Sequence, residues 1–294
     1  MSTSFILSIL IGCWLIAAAF MFVAWVVQQR TGNSGWVDVI WTIAVGTSGL
    51  TAIVSGAPDR DTARTIVVGA MIAIWMVRLA GHVALRSSRV SDDPRYERMR
   101  EDWGDRAPKM MFWLLQLQAL LAVPLFTAVA LAAWHPAPLL MPLSILGLFV
   151  FAVAQIGSYV SDKQLTDFKR RKKAGTVKRE VCSVGLWHYS RHPNYFFEWL
   201  IWCAFALLAI DLGGTWPLGL IAIAAPLTMF VLLRYVSGVP PLEAHMEDEY
   251  GEAYRDYQRR VSVFFPLPPS PPSKNDPKDP SNASGAHGSS GPAP

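Results

Sequence analysis

The chain has 294 residues, of which 52% are hydrophobic and only 16% are charged, so it is too apolar for an ordinary soluble domain. Its net charge of +4 could suggest nucleic acid, but the basic residues lie between apolar segments and form no folded basic face, which excludes nucleic acid as a partner. The composition predicts an all-α polytopic integral membrane protein.

Seven segments are long and apolar enough to cross a hydrocarbon core of roughly 30 Å. They cover residues 5–27, 36–54, 65–85, 112–134, 139–160, 195–212 and 216–235. The first segment is not preceded by a positive charge and is longer than the apolar part of a signal peptide, so we expect it to remain as a helix. The chain has three cysteines, an odd number, and two lie within these segments, so we expect neither a disulfide framework nor a metal site.

The basic residues are distributed unevenly among the connections. Lys and Arg are dense after the third and fifth segments and absent from residues 135–138 and 211–215. The positive-inside rule then predicts an outside N-terminus, a cytoplasmic C-terminus and a bacterial inner-membrane type of topology. The mixed charges of the third connection, residues 90–109, predict a solvated helix at the membrane surface, with a lid over a cofactor as an alternative that its spacing does not require.

Ionisable residues also occur within the second and third segments. Asp38 lies near the start of the second segment, where it could cap the helix or contact a ligand. Arg78, His82 and Arg86 follow one another at four-residue steps and so share one helical face. Arg78 lies about two turns from the end of its segment, and we expect it to face the interior of the bundle because a charge facing lipid is costly.

The most informative stretch runs from Gly185 to Trp199, where a polar turn leads directly into an apolar span. Pro193 is suited to a first helical turn, which places Arg191 and His192 at a helix start that favours anions. Asn194 and Glu198 lie one turn apart on the same face of that helix. Anchoring to lipid headgroups would explain one such residue, but an Arg, a His, an Asn and a Glu together at this helix start favour a functional site. The basic run at residues 169–173 suits either anionic lipid or a phosphate-rich cofactor, and we favour its role in topology.

After the last span, residues 243–265 predict an amphipathic charged helix that either folds back over the cytoplasmic mouth or stays solvated. The composition beyond it is rich in Pro, Ser and Gly and predicts disorder. The predicted organisation is therefore an N-terminal helix and loop at 1–35, a membrane domain at 36–266 and a disordered tail at 267–294.

The run Leu-Trp-x-x-Ser-Arg-His-Pro-Asn-Tyr-x-x-Glu, with residues 161–165 before it and 243–266 after it, resembles the DUF1295 family. That family is similar to the C-terminal domain of steroid 5α-reductases and, more distantly, to sterol Δ14-reductases and isoprenylcysteine carboxyl methyltransferases. The resemblance extends over residues 36–266. One departure is Phe197, which stands where many relatives have Gly.

This resemblance implies a membrane reductase that uses NADPH to reduce a carbon–carbon double bond conjugated to a ketone in a steroid-like or isoprenoid-like substrate. By this interpretation the cofactor-binding residues are Asp162, Lys169, Arg191, His192, Asn194, Tyr195 and Glu198. Asp38, Arg78 and His82 are the catalytic candidates, with Asp38 or Arg78 supplying or orienting the donor at the substrate carbonyl. The structural alternative is a plain ion pair between Asp38 and Arg78. In the relatives a Glu and a Tyr act at this step.

Two other functional classes remain open. A membrane methyltransferase would bind S-adenosylmethionine in place of the nucleotide, and a non-catalytic protein would only bind lipid. The chain lacks G-x-G-x-x-G, G-x-x-x-x-G-K-[ST] and H-E-x-x-H, so any dinucleotide must be held within the helical bundle.

Overall fold

The computed structural model describes residues 2–56, 61–88, 92–177 and 181–270. Within these ranges the regular structure is helical and contains no strand. The α-helices are α1 (Thr3–Thr31), α2 (Gly35–Ser55), α3 (Thr62–Ser87), α4 (Pro94–Trp103), α5 (Ala107–Leu121), α6 (Val123–Trp134), α7 (Pro142–Lys173), α8 (Pro193–Ala209), α9 (Ala224–Val231), α10 (Val239–Tyr250) and α11 (Glu252–Arg260).

Six helical stretches in the described residues are long and apolar enough to cross a membrane. They are Thr3–Thr31, Gly35–Ser55, Thr62–Ser87, Arg95–Trp134, Pro142–Lys173 and Pro217–Tyr250. The remaining predicted span corresponds to α8, a shorter apolar helix at Pro193–Ala209. The prediction of an all-α, multi-pass membrane protein is confirmed.

Two predicted spans are less regular than a single α-helix. The fourth divides into α5 and α6 at Ala122, two residues before Pro124, whose missing N–H cannot continue the hydrogen-bond ladder. The last begins as a 3-10 turn at Pro217–Ile223, continues as α9 and ends in a π-helix at Leu232–Val236. π-Helical turns are rare in proteins, and those that occur are often found at functional sites.

The chain divides into two compact units. Unit 1 consists of residues 1–159 and 194–245, and its central helix is α6, which is buried continuously from Leu125 to Trp134. A helix that is apolar all round belongs inside a bundle, and α6 packs against α1, α2, α3 and α9. Apolar side chains of the neighbouring helices therefore surround α6. The polar groups of unit 1 lie at the ends of those helices and where they contact one another.

Arg64, near the start of α3, is fully buried in unit 1. Its guanidinium donates to the carbonyl oxygens of Ala132 in α6 and Leu208 in α8, at 3.3 and 2.8 Å, and to Ser144 Oγ in α7 at 2.8 Å. It also donates to the carbonyls of Ala137 and Pro138. Helix C-termini leave carbonyls without partners, so this cation joins the ends of several helices and is a structural element.

Unit 2 consists of residues 160–193 and 246–294 and is described up to Ser270. The 3-10 turn Gly185–His188 is held to α7 by Trp187 Nε1, which donates to the Ser161 carbonyl at 3.0 Å. The buried Tyr257 of α11 donates to the Trp187 carbonyl. The turn, the end of α7 and α11 thus form one small core.

The C-terminal segment differs from its prediction in two respects. The charged helix expected at 243–265 is interrupted at Gly251, whose φ of 52° is accessible to glycine at little cost. The first residues of the predicted disordered tail make backbone hydrogen bonds, from Leu267 N to Tyr189 O at 3.0 Å and from Ser270 N to Arg260 O at 2.8 Å. Predicted disorder at 271–294 lies outside the described residues.

Candidate functional site

A buried carboxylate joins helices α3 and α8 in unit 1. Glu198 Oε1 accepts a hydrogen bond from Trp75 Nε1 at 2.6 Å, and its Oε2 forms an ion pair with Arg78 Nη2 at 2.7 Å. Trp75 and Arg78 are three residues apart and so share one face of α3. Only 15% of the Arg78 side chain and 10% of the Glu198 side chain are exposed, which makes this a desolvated pair.

Asp38 lies in the first turn of α2 and bonds to α4. Its Oδ2 forms an ion pair with Arg95 Nη2 at 2.5 Å, and its Oδ1 accepts a hydrogen bond from the Tyr96 hydroxyl at 3.3 Å. The suggested ion pair between Asp38 and Arg78 is therefore wrong, because each residue pairs with a different partner. The carboxylate of Asp38 binds side chains of α4 and does not cap α2.

Tyr96 is the most deeply buried hydroxyl of this group, with 5% of the residue exposed. Besides donating to Asp38, its oxygen accepts a hydrogen bond from Gln118 Nε2 at 3.2 Å. A hydroxyl held between a carboxylate and an amide is oriented, so it can present its proton in a fixed direction. The third connection is thus not a purely solvated helix, since α4 buries this side chain in unit 1.

A second carboxylate, that of Asp93, caps α4 and forms ion pairs with two arginines. It accepts from the Arg95 amide at 3.0 Å and pairs with Arg95 Nε at 2.9 Å and with Arg86 Nη2 at 3.0 Å. Burial alone would raise the pKa of Asp93, but the hydrogen bond and positive charge of Arg95, together with Arg86, outweigh burial and lower it. Asp93 therefore stays ionised and holds Arg95 against Asp38.

Three more candidates lie near this cluster or within the same helices. Tyr195, on α8, is close enough to Arg95, Arg86 and Asp38 for their charges to act on its hydroxyl. Asn194, which precedes it, is partly buried and makes no side-chain hydrogen bond within the part of the chain that the structure describes. His82 is partly buried on α3, one turn after Arg78.

The other four candidates belong to unit 2. Arg191 donates through Nη1 to the carbonyls of Gln258 and Val261 at 3.0 and 2.7 Å, so part of its guanidinium fastens the segment after α11. His192 is buried, and its amide donates to Ser190 Oγ at 3.1 Å. Asp162 and the exposed Lys169 are two turns apart on α7 and share one of its faces. Lys172, in the same basic run, stacks on the Tyr250 ring at 4.2 Å.

The sequence of this chain matches a known protein family. The family described as "Protein of unknown function (DUF1295)" matches residues 24–261, which is most of the chain. The chain belongs to the DUF1295 family. A relative, uncharacterized protein C594.04c of Schizosaccharomyces pombe, is 27% identical over 284 residues, covering 83% of this chain and 76% of the relative. No solved structure matches the chain.

The DUF1295 match contains every candidate residue of both units as well as the residue at which this chain departs from many relatives. Phe197 is buried, and its ring lies against Gly157 of α7 so closely that a Cβ there would be 2.3 Å from Phe197 Cε1. Gly157 thus accommodates the larger side chain. The Phe197 ring points toward Gly157 of α7, so a large side chain fits at the position before Glu198.

The sequence did not single out Tyr96, Arg95 or Gln118 as site residues of this DUF1295 chain. The charge mixture around them is typical of a solvated helix, and it gives no sign that the Tyr96 hydroxyl is buried. A signal was nevertheless present, because Asp93-Pro94 is a strong helix start and fixes which residues of α4 follow it on one face.

Proposed function

We propose that this protein is an integral-membrane reductase that uses NADPH to reduce a carbon–carbon double bond conjugated to a ketone in a lipophilic substrate. The observation that carries the proposal is the buried Tyr96 hydroxyl, held between Asp38 and Gln118 within an otherwise apolar bundle. The resemblance to steroid 5α-reductases supports the choice of reaction, since a carboxylate and a tyrosine act in those relatives.

In the proposed reaction, the Tyr96 hydroxyl turns its single proton from Asp38 Oδ1 to the ketone oxygen of the substrate. When bound, NADPH would supply a hydride for the β-carbon of the enone, and the chain would have to stabilise the negative charge left on that oxygen. A preorganised donor in a water-poor site stabilises this charge strongly. One proton taken up from solvent at the α-carbon would complete the saturated ketone. Before the substrate binds, Asp38 accepts the hydrogen bond of this hydroxyl, and the ion pair with Arg95 holds Asp38 in place.

The residues present suit a nucleotide of this kind. The Asn194 amide has donors and an acceptor not used within the described chain, which fits a ribose hydroxyl or a carboxamide. The basic run at 169–173 includes exposed cations that fit phosphate groups. In unit 1 we assign Asn194, Tyr195 and Glu198 to this ligand, with Glu198 accepting through the lone pairs that Trp75 and Arg78 leave. The roles of Asp162, Lys169, Arg191 and His192 in cofactor binding stay predictions from the sequence.

Direct binding tests the proposal against its alternatives. We expect NADPH to bind the detergent-purified protein more tightly than NADH or S-adenosylmethionine, because the basic run offers partners for a 2′-phosphate. Asn194→Ala should weaken NADPH binding by about 1–3 kcal/mol, whereas Gln116→Ala, a change on α5, should leave it unaltered. Calorimetric titration, or quenching of Trp fluorescence, measures both.

Other results of that titration would favour one of the two alternative functions. Binding of S-adenosylmethionine alone would replace the reductase with a methyltransferase, in which a substrate carboxylate attacks a methyl group and needs no donor at a ketone. Binding of none of the three would favour a lipid-binding protein without catalysis. The arrangement of Tyr96 and Asp38 favours the reductase, because a methyl transfer to a carboxylate has no use for an oriented hydroxyl.

We also propose that the N-terminus lies outside, the C-terminus lies in the cytoplasm, and the membrane is of the bacterial inner type. The basic connections support this orientation, as does the loop after α8, which lacks Lys and Arg. A side-specific reporter fused after Asp211 should give an external signal in intact cells. A fusion after Lys173 serves as the matched control and should report the cytoplasm. A cytoplasmic signal from the Asp211 fusion would reverse the proposed orientation.

A further inference from the structure

The turn between α6 and α7 is fastened to the start of α3 in unit 1. The Arg64 guanidinium donates hydrogen bonds to the carbonyl oxygens of Ala137 and Pro138 at 3.1 and 3.0 Å. Asp61, which caps α3, accepts a hydrogen bond from the Leu139 amide at 2.8 Å. Because the same guanidinium also binds α6, α7 and α8, the conformation of this turn affects contacts at the ends of four helices.

His135 is the first residue of this turn, and only 2% of it is exposed. Its Nδ1 accepts a hydrogen bond from the Ala137 amide at 3.1 Å, two residues along the chain. A ring nitrogen that accepts a hydrogen bond carries no proton, so His135 is neutral and its proton is on Nε2. A protonated ring carries N–H groups at both nitrogens and would lose this bond. The turn as observed, here called its closed form, therefore requires a neutral His135.

The surroundings of His135 also oppose a second positive charge. Burial lowers its pKa below the ordinary value, and the positive charge of Arg64 lowers this pKa further. The negative charge of Asp211, in the loop after α8, acts in the opposite direction without cancelling these two effects. If the turn opens into water, the ring regains an ordinary histidine pKa of about 6.5. The open form thus binds a proton more readily than the closed form.

The carboxylates near His135 keep their charge when the ring titrates. Hydrogen bonds, chiefly from the Thr215 hydroxyl, lower the pKa of Asp211 to about 2. A hydrogen bond from a backbone amide of the same turn is the main cause that lowers the pKa of Asp61. Arg64 stays protonated throughout the physiological range, as arginines do. In mildly acidic solution, His135 is therefore the residue of this group that changes its charge.

We propose that His135 is a pH-sensitive switch, in which protonation releases the Ala137 amide and withdraws the carbonyls of the turn from Arg64. The closed form binds the proton less readily than the open form, so it is fully favoured above about pH 6.5 and is lost progressively as the pH falls below that value. Acidification therefore loosens the contacts of Arg64 at this end of the bundle. The inference goes beyond the proposed reduction and does not depend on it. In the orientation proposed above, the switch responds to the pH outside the cell.

Hydrogen exchange of the detergent-purified protein, followed by mass spectrometry, tests this inference at the Ala137 amide. The protection factor, which is corrected for the intrinsic pH dependence of exchange, should fall about tenfold between about pH 7.5 and about pH 5. His135→Asn should remove this fall, because Asn can accept a hydrogen bond from the amide two residues on but does not titrate. His188→Asn is the matched control, since it removes an exposed histidine from unit 2, and it should behave as the parent.

The inference is overturned if the protection factor of Ala137 in the parent stays constant over this range, or if it falls equally in His135→Asn. Should the Asn variant not fold, the profile of the parent still decides. A fall that begins below about pH 6.5 supports the switch, whereas one that begins only below about pH 4.5 belongs to carboxylates and contradicts it. The midpoint of thermal unfolding gives a second readout, because it should drop with pH more steeply in the parent than in His135→Asn.

Discussion

Tyr96→Phe should lower NADPH-dependent turnover of an enone by about 10²-fold or more while leaving the folded yield and the affinity for NADPH unchanged. The substitution removes one oxygen and preserves the buried ring. The donor at the ketone oxygen is thereby lost, and only the stabilisation of developing negative charge suffers. Single-turnover kinetics in detergent measure this loss directly, since they separate the chemical step from product release.

Asp38→Asn should act in the same direction, because the amide keeps the shape of the carboxylate but no longer holds Arg95 and Tyr96 by charge. Tyr159→Phe provides a matched control, since that tyrosine is 61% exposed on α7 and lies outside the site. Full turnover in both Tyr96→Phe and Asp38→Asn would remove the pair from the mechanism. Attention would then move to the hydroxyl of Tyr195 and to His82.

Arg78→Met should destabilise the folded protein by about 3 kcal/mol or more, because it leaves the Glu198 carboxylate buried without its cation. Glu198 would keep only the hydrogen bond from Trp75, which is too little to offset the loss of water around a charge. The free energy of unfolding, measured by denaturant titration in mixed micelles, should show this loss. The double variant Arg78→Met with Glu198→Gln should recover much of it, since no unpaired charge then remains.

Arg86→Met is the control for removing a cation from the same helix. Half of the Arg86 side chain is exposed, and Asp93 retains Arg95 as a second partner, so the expected cost is below about 1 kcal/mol. Equal effects of Arg78→Met and Arg86→Met would contradict the view that Arg78 and Glu198 form a desolvated pair. Failure of the double variant to recover stability would assign Arg78 a further structural partner.

The apolar pattern was sufficient to predict the membrane class and most helix positions, because each span must satisfy its backbone hydrogen bonds internally. Pairings between helices were not predictable in the same way. Periodicity shows that Arg78 shares a face with His82, but it does not show which helix packs there, so Glu198 was not identified as its partner. The connection at residues 90–109 was misjudged for the same reason, since local charge composition cannot reveal that Tyr96 is buried against Asp38.

Single residues with special backbone chemistry, such as proline, carry information about where helices start and break. The fourth span was predicted as continuous, and its division near Pro124 was missed, although the missing amide hydrogen of proline was a signal for that break. The Pro193 start of α8 lies where it was expected. Arg64 was passed over because it stands immediately before the predicted span 65–85, where a cation ordinarily reaches the headgroups. Only the packed structure shows that it is fully buried.

The burial of Arg64 also constrains the order in which the chain can be assembled. Its partners are supplied by residues as late as Leu208, so during synthesis the guanidinium enters the membrane long before the last carbonyl that will bind it exists. Until α8 arrives, the Arg64 guanidinium has its acceptors in residues 132–144 but lacks the Leu208 carbonyl, so one donor must bond to water or headgroups instead. Complete burial of this cation therefore waits for the second half of the polypeptide.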